Sequence, residues 1–256
     1  MTVQELYEAL DGLFPFAEAG VWDEVGLQVG GWSSDAGVVA VAHEVTDQVV
    51  SDAIARGIGT IVTYHPLLFT PTTTLIHGSS SEGRAVRLAA AGTNVISVHT
   101  AFDVAKPGTA DALLRALGVE AHASFGPVDD ESGADIGRTA RLAGGMTIGA
   151  LCSAVESASG SPTKVNAPSD RSVSTIGVVP GSGGSFIAGA VGMMDVMITG
   201  DVSHHEAAYA AANELVVIDA GHIPSERAGV EAMYAAVCTV EPDAVYMVDN
   251  PNPWEG

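Results

Sequence analysis

Three short apolar runs in this chain end in side chains that can bind a metal ion. Ile61-Val62-Thr63 leads into Tyr64-His65-Pro66, and Val95-Ile96-Ser97-Val98 leads into His99-Thr100-Ala101-Phe102-Asp103. Leu215-Val216-Val217-Ile218 leads into Asp219-Ala220-Gly221-His222, with Glu226 four residues further on. The chain has only eight histidines in 256 residues. If the runs are neighbouring strands of one sheet, their ends share a rim, and His65, His99, Asp103, His222 and Glu226 converge on one pocket. Imidazoles mixed with carboxylates suit Zn, Mn, Fe, Co or Ni. Without thiolates the set does not read as a structural zinc site. Glu226 is the natural bridging carboxylate. Two ions roughly 3.5–4 Å apart can hold and deprotonate a water between them. His99 either joins the ligands or hydrogen-bonds the attacking water or a ligating carboxylate. Each residue also has an ordinary reading. A loop histidine is usually a hydrogen-bonded structural residue, and Asp103 and Glu226 are acids that a helix start favours. Co-occurrence at three strand ends is what points to metal.

His204 and His205 follow another apolar run, Val196-Met197-Ile198-Thr199. They are candidates for substrate or outer-shell contacts; the plain alternative is a solvated histidine pair at a helix start. His43, His77 and His122 have no such setting and are read as structural. Gly181-Ser182-Gly183-Gly184, between a strand and a helix, could cradle a phosphate with its amides. It lacks the Gly-Lys-Ser/Thr of a nucleoside-triphosphate loop, and a tight turn explains it equally well.

The elements that must position these groups are legible in outline. Thr2-Val3-Gln4-Glu5 is a capping box opening a helix. Val38–Ala42, Ile58–Thr63 and Asn94–Val98 read as strands. Helices over 47–56 and 81–91 separate them, capped by Thr46 in the first and stopped by Gly57 and Gly92. This is a βαβ pattern with parallel strands. Thr109 is expected to cap a helix over 110–117. Later come strands over 173–179, 196–199, 215–218 and 244–248, and helices over 203–212 and 224–237. The acidic, Gly-rich stretch 126–135 is the expected boundary between an N-terminal half, 1–125, and a C-terminal half, 126–256. The fold class is α/β, in two halves.

Composition narrows the function. Hydrophobic residues make up 47% and charged residues 16%, so the chain is globular. The formal net charge of −21 repels phosphate backbones and anionic lipid heads, which argues against nucleic-acid or membrane partners and favours a bound cation. Cys152 and Cys238 form no disulfide framework or thiolate site. No signal segment or membrane span is read, and a cytoplasmic protein is expected.

The motifs together resemble the NIF-three-like family of dinuclear-metal-centre proteins, known as GTP cyclohydrolase I type 2 homologs. Trp22-Asp23-Glu24-Val25-Gly26-Leu27-Gln28-Val29-Gly30 is similar to that family's W-D-N-x-G-L-x-V-G. Tyr64-His65-Pro66-Leu67-Leu68-Phe69 is similar to its H-H-P-L-x-F, and His99 to Asp103 to its H-T-x-x-D. Gly137-Arg138 sits at its G-x-G-R, Gly200-Asp201 at its T-G-[DE], and Asp219 to Glu226 at its D-x-G-H-x-x-x-E. The resemblance implies metal ligands at His65, Asp103, His222 and Glu226, with His99 beside them. It also implies two related α/β halves with mixed, largely parallel sheets, helices packed outside and the metal site in the cleft between them, and a ring-shaped homohexamer. Longer relatives carry an inserted domain between the halves, for which 118–145 leaves no room. Two positions depart from the pattern. Tyr64 replaces the first histidine of the pair; a phenol with an ordinary pKa of ~10 is a poorer ligand, so either a nearby dication lowers that pKa and Tyr64 binds as phenolate or one ion is weak or missing, and one or two ions are expected per chain. Glu24 replaces an asparagine.

The leading functional reading is a metal-dependent hydrolase of a nucleotide-like or phosphorylated small molecule, using metal-bound hydroxide with His99 and Glu226 as its catalytic groups. A non-catalytic, metal-binding regulatory or scaffold ring is the alternative. A metal-free nucleotide-binding module built on Gly181–Gly184 is the third.

Overall fold

Side-chain hydroxyls start the helices and left-handed glycines stop them. Thr2, Thr46, Ser80, Thr147 and Ser203 each accept a hydrogen bond from an amide of the first helical turn. Gly57, Gly92 and Gly160 end their helices in the left-handed conformation. In the computed structural model residues 1–131 and 133–247 are described. In chain order the helices are α1 (Val3–Asp11), α2 (Asp47–Arg56), α3 (Ser81–Ala91), α4 (His99–Val104), α5 (Thr109–Ala116), α6 (Ile148–Ser159), α7 (Ile187–Ala190), α8 (His204–Ala212) and α9 (His222–Val240). The strands are β1 (Gly26–Val29), β2 (Val38–Ala42), β3 (Ile58–Thr63), β4 (Asn94–Ser97), β5 (Ala123–Pro127), β6 (Asp135–Thr147), β7 (Lys164–Val165), β8 (Ser172–Ser182), β9 (Val196–Gly200), β10 (Val216–Asp219) and β11 (Val245–Tyr246).

The strands form two mixed sheets, and the fold class is α/β. One sheet has the order β1-β4-β3-β2-β11. Its β2, β3, β4 and β11 run parallel, and β1 pairs antiparallel with β4. The other has the order β5-β6-β8-β9-β10-β7. Here β8, β9 and β10 are parallel, while β5, β6 and β7 join antiparallel. The chain divides into two compact units, Met1–Ala105 with Met233–Gly256, and Lys106–Ala232. The stretch 126–135, expected as a boundary, falls inside the second unit, where it links β5 to its antiparallel partner β6.

Each unit has its own core. In the first, Ala40, Ile61 and Val95 of the sheet meet Val49, Val50 and Ala53 of α2 and Leu88 of α3. In the second, the central strands are buried on both faces, as parallel strands usually are. Val216 and Ile218 point toward α5 and α6, among Leu113, Leu114, Leu151 and Val155. Val217, between them, points the other way, with Ile187 and Ala210. Among the described residues no helix is long and apolar enough to cross a membrane.

Several local expectations are corrected. Thr109 is the first residue of α5, not its cap; the Gly108 amide donates to the Asp111 carboxylate instead. Helix α9 begins at His222, so Pro224 is its third residue, still in the turn where a missing N–H has no helical partner to lose. The expected last strand is β11; its end at Val248 lies outside the described residues.

Asp195, just before β9, shows how the second sheet is pinned. Its carboxylate accepts from the amide and hydroxyl of Ser174 (2.8 and 3.0 Å) and the amide of Thr175 (2.9 Å). Burial opposes its ionisation, yet these hydrogen bonds hold it below the usual carboxylate range. A folded pKa below the unfolded value, about 3.9, gives stability that is full above that value and is lost as pH falls through the folded pKa. Asp195→Asn is expected to cost about 1 kcal/mol at pH 7, after allowance for solvent screening. Part of the stability loss below about pH 4 disappears with it. Urea unfolding at pH 7 and pH 3 measures both; an unchanged acid slope in the variant would remove the assignment.

Candidate metal centre

In the first unit the carboxyl ends of β2, β3 and β4 lie side by side. The pairing runs on past the strands: the Tyr64 amide donates to the Ala42 carbonyl (3.0 Å), His65 to His43 (2.9 Å) and His99 to Tyr64 (3.0 Å). His43, Tyr64, His65 and His99 therefore share one rim. Ring centroids are 5.1 Å apart for His43 and His65, 5.6 Å for Tyr64 and His99, and 5.4 Å for His65 and His99. Asp103, one turn into α4, is buried. The Tyr64 hydroxyl donates to Asp103 Oδ1 at 2.6 Å. The Tyr64 phenol is thus a hydrogen-bond donor that orients a carboxylate.

Acidic partners fix the imidazoles. His65 Nδ1 lies 3.0 Å from Glu44 Oε1, and His99 Nδ1 lies 2.9 Å from both oxygens of Asp23. Asp23 also accepts from the Thr100 amide and hydroxyl. Burial pushes Asp23 toward neutrality, but His99, by hydrogen bond and charge, and Thr100 outweigh it and hold the carboxyl below its usual range.

In the second unit His222 and Glu226 stand one helical turn apart at the start of α9. His222 Nδ1 lies 2.6 Å from Asp201 Oδ2, and Nε2 lies 3.3 Å from Glu226 Oε1. Asp201 has φ +53°, a left-handed conformation that Asp tolerates better than most residues. Glu226 is only 2% exposed. Gly181, at φ +79°, lies against it: a Cβ there would come 2.3 Å from Glu226 Oε1. Ser225 joins the two by accepting from the Gly181 amide (2.8 Å) and donating to the His222 carbonyl (2.7 Å).

The Gly181–Gly184 turn does not present a phosphate cradle. The Gly181 amide is taken by Ser225 and the Gly183 amide by Thr199 Oγ1, at 2.8 Å each. A Cβ on Gly184 would meet the Glu206 carboxylate at 2.3 Å. The turn is tight so that carboxylates can approach its backbone, which is the opposite of an anion site.

His204 and His205 are exposed at the start of α8, with rings 5.5 Å apart. His204 lines a cavity of about 150 Å³ with Lys164, Asn166 and Asp219. Neither imidazole hydrogen-bonds to His222 or Glu226. Asp219 itself forms a turn, accepting from the Gly221 amide at 2.9 Å.

The sequence reading missed His43, Asp23, Glu44 and Asp201 as site residues. His43-Glu44 carried the same signal as the others, because Val38–Ala42 is an apolar run that ends in them. What no local pattern carried is the pairing itself, since Asp23 lies 76 residues from His99, Glu44 21 from His65 and Asp201 21 from His222.

Comparison with known proteins places the chain. The family description Duf34/NIF3 (NGG1p interacting factor 3) matches residues 1–253. A Streptomyces coelicolor protein named GTP cyclohydrolase 1 type 2 homolog is 32% identical over 233 residues, 88% of this chain and 81% of that one. One of the same name from Clostridium acetobutylicum is 28% identical over 236 residues, 91% and 88% of the two chains. Among solved structures, Staphylococcus aureus protein SA1388 superposes with a TM-score of 0.87 at 24% identity, covering 100% of this chain and 99% of that one. The protein ybgI gives 0.84 at 22%, covering 99% and 100%. The fold and the full-length match agree, and the chain belongs to the Duf34/NIF3 family.

Proposed function

We propose that this protein is a metal-dependent hydrolase of a nucleotide-like or phosphorylated small molecule. The observation that carries the reading is shared by His65, His99 and His222: each has Nδ1 against a carboxylate. An ionised carboxylate only accepts, so at His65 and His99 Nδ1 carries the proton and Nε2 offers the lone pair, whereas His222 has a carboxylate at each ring nitrogen, Asp201 at Nδ1 and Glu226 at Nε2. A carboxylate at Nδ1 is how metal-binding and proton-accepting histidines are held elsewhere. Buried Asp103 and Glu226 add carboxylate oxygens, the donor type that divalent cations take.

The proposed ligands are His65, Asp103, His222 and Glu226. His43, whose ring lies 5.1 Å from that of His65 on the same rim, is proposed to join the set. Imidazole and carboxylate donors fit Zn, Mn, Fe, Co or Ni, one or two ions per chain. Such an ion, when bound, lowers the pKa of water and polarises the bond to be cleaved. The protein's own part is proton handling and orientation. His99 Nε2 accepts the proton of the attacking water, and ionised Asp23 stabilises the imidazolium that forms. Tyr64 keeps Oδ1 of Asp103 hydrogen-bonded, so Oδ2 would be the oxygen left to a bound ion. His204 and His205 are proposed to contact substrate at the rim. The same reading takes the protein to be cytoplasmic and to work as a homohexamer.

The test is hydrolysis of a panel of nucleotides and phosphoesters by metal-replete protein. Turnover is expected, falling at least ~100-fold with chelator and returning on adding back metal. Bound metal with no turnover across the panel would favour the regulatory ring instead.

A further inference from the structure

Trp22 and Phe69 are large aromatic side chains that the fold leaves about half exposed, at 50% and 49%. They are neighbours, with ring centroids 6.2 Å apart and planes at 69°. Both stand edge-on to His99, Trp22 at 6.3 Å and 81°, Phe69 at 6.4 Å and 86°. Two exposed aromatic faces thus make a corner, and the proton-accepting imidazole forms its base.

The corner is held rigidly from behind. Gln28 grips the loop that carries Phe69: its Oε1 accepts from the Leu68 amide at 3.0 Å and its Nε2 donates to the Leu68 carbonyl at 2.9 Å. Next to Trp22, Asp23 is locked by His99 and Thr100. The bracing holds in place two rings that still present about half their surface to solvent. A flat ring lying on one face and meeting the other edge-on satisfies both preferred aromatic geometries at once.

We infer that Trp22 and Phe69 form a stacking site for a planar heteroaromatic ring of the nucleobase type, which sets that ring beside His99. This rests on the proposed site being a substrate site, and it narrows the substrate class to molecules carrying a base. A simple sugar phosphate lacks the π-face and gains nothing from the corner.

The experiment is equilibrium binding of guanosine, thymidine and ribose 5-phosphate to metal-replete protein, read calorimetrically and independently of turnover. Both nucleosides are expected to bind. Trp22→Ala and Phe69→Ala should each weaken them about tenfold or more, Trp22→Phe should keep most of the affinity, and ribose 5-phosphate should be unaffected. Nucleosides that do not bind, or that bind the alanine variants as tightly as the parent, would overturn the inference. So would a changed oligomeric state of the alanine variants in light scattering, which would give the corner to a second copy of the chain. The two readings fail separately. Nucleoside binding without hydrolysis leaves the corner standing and removes the hydrolase; chelator-sensitive hydrolysis without nucleoside binding does the reverse.

Discussion

Glu226→Ala is expected to lose its metal, with affinity for Zn²⁺ or Mn²⁺ falling about 100-fold or more. Even outer partners of metal ligands cost roughly 10- to 100-fold when removed, and Glu226 is proposed as a direct, bridging donor. Its burial sharpens the test. In the metal-free protein a buried carboxylate is a desolvated charge, with His222 Nε2 at 3.3 Å. Removing it breaks a buried contact and is expected to lower metal-free stability by about 3 kcal/mol or more, so Glu226→Gln, which keeps the side-chain volume, is the fold control. Elemental analysis and thermal unfolding therefore separate loss of metal from loss of fold. A variant with undiminished metal would end the ligand assignment. The parent's stoichiometry is informative too. Two ions per chain would mean that Tyr64 does not prevent a pair, and one would mean that the change from histidine has removed a site.

Gly181→Ala should be among the most damaging single-methyl changes in the molecule. At φ +79° a side chain costs about 1–2 kcal/mol from backbone sterics alone. The added Cβ would also lie 2.3 Å from Glu226 Oε1 and 3.5 Å from His222 Nε2, and relieving such crowding costs about 1–3 kcal/mol more. A loss of ~2–5 kcal/mol in urea unfolding is expected, with metal binding impaired. Gly192→Ala is the control, since that glycine has φ +76° with nothing within 4 Å of the new Cβ. It should lose only the backbone part. Equal losses in the two variants would show that the contact with Glu226 is not what requires glycine at 181.

The two effects share a cause. The second unit brings a carboxylate against bare backbone, and that is possible only where the chain has no side chain. Gly184 repeats the device, because its Cβ would lie 2.3 Å from Glu206 Oε1. Two of the glycines that first suggested a phosphate loop, Gly181 and Gly184, are spacers for acids, and Gly183 makes room for Thr199 and Val179.

Much of the fold was legible because its signals are local. A hydroxyl three residues before an amide, as at Thr2 and Ser203, caps a helix wherever the chain goes afterward. Gly57 and Gly92 stop helices because they adopt φ that other residues avoid. The parallel arrangement of β2, β3 and β4 followed from strand and helix alternation. The antiparallel half of the second sheet was not legible. Its β6 carries Gly144 and Gly145 and a register shift between Arg141 and Met146, which break the alternation that marks a strand.

By itself the sequence determined which imidazoles and carboxylates end apolar runs, since a run of β-branched residues makes its strand and therefore its end. That placed His65 and His99 at strand ends and Asp103, His222 and Glu226 in the helices that follow. Only tertiary structure decided what each group does there. The Tyr64 hydroxyl reaches Asp103 across 39 residues, Asp23 reaches His99 across 76, and His43 joins the rim through strand pairing with His65. The orientation of an imidazole depends on the acceptor facing its Nδ1, and that acceptor is set by strand order and loop path, which no local pattern encodes.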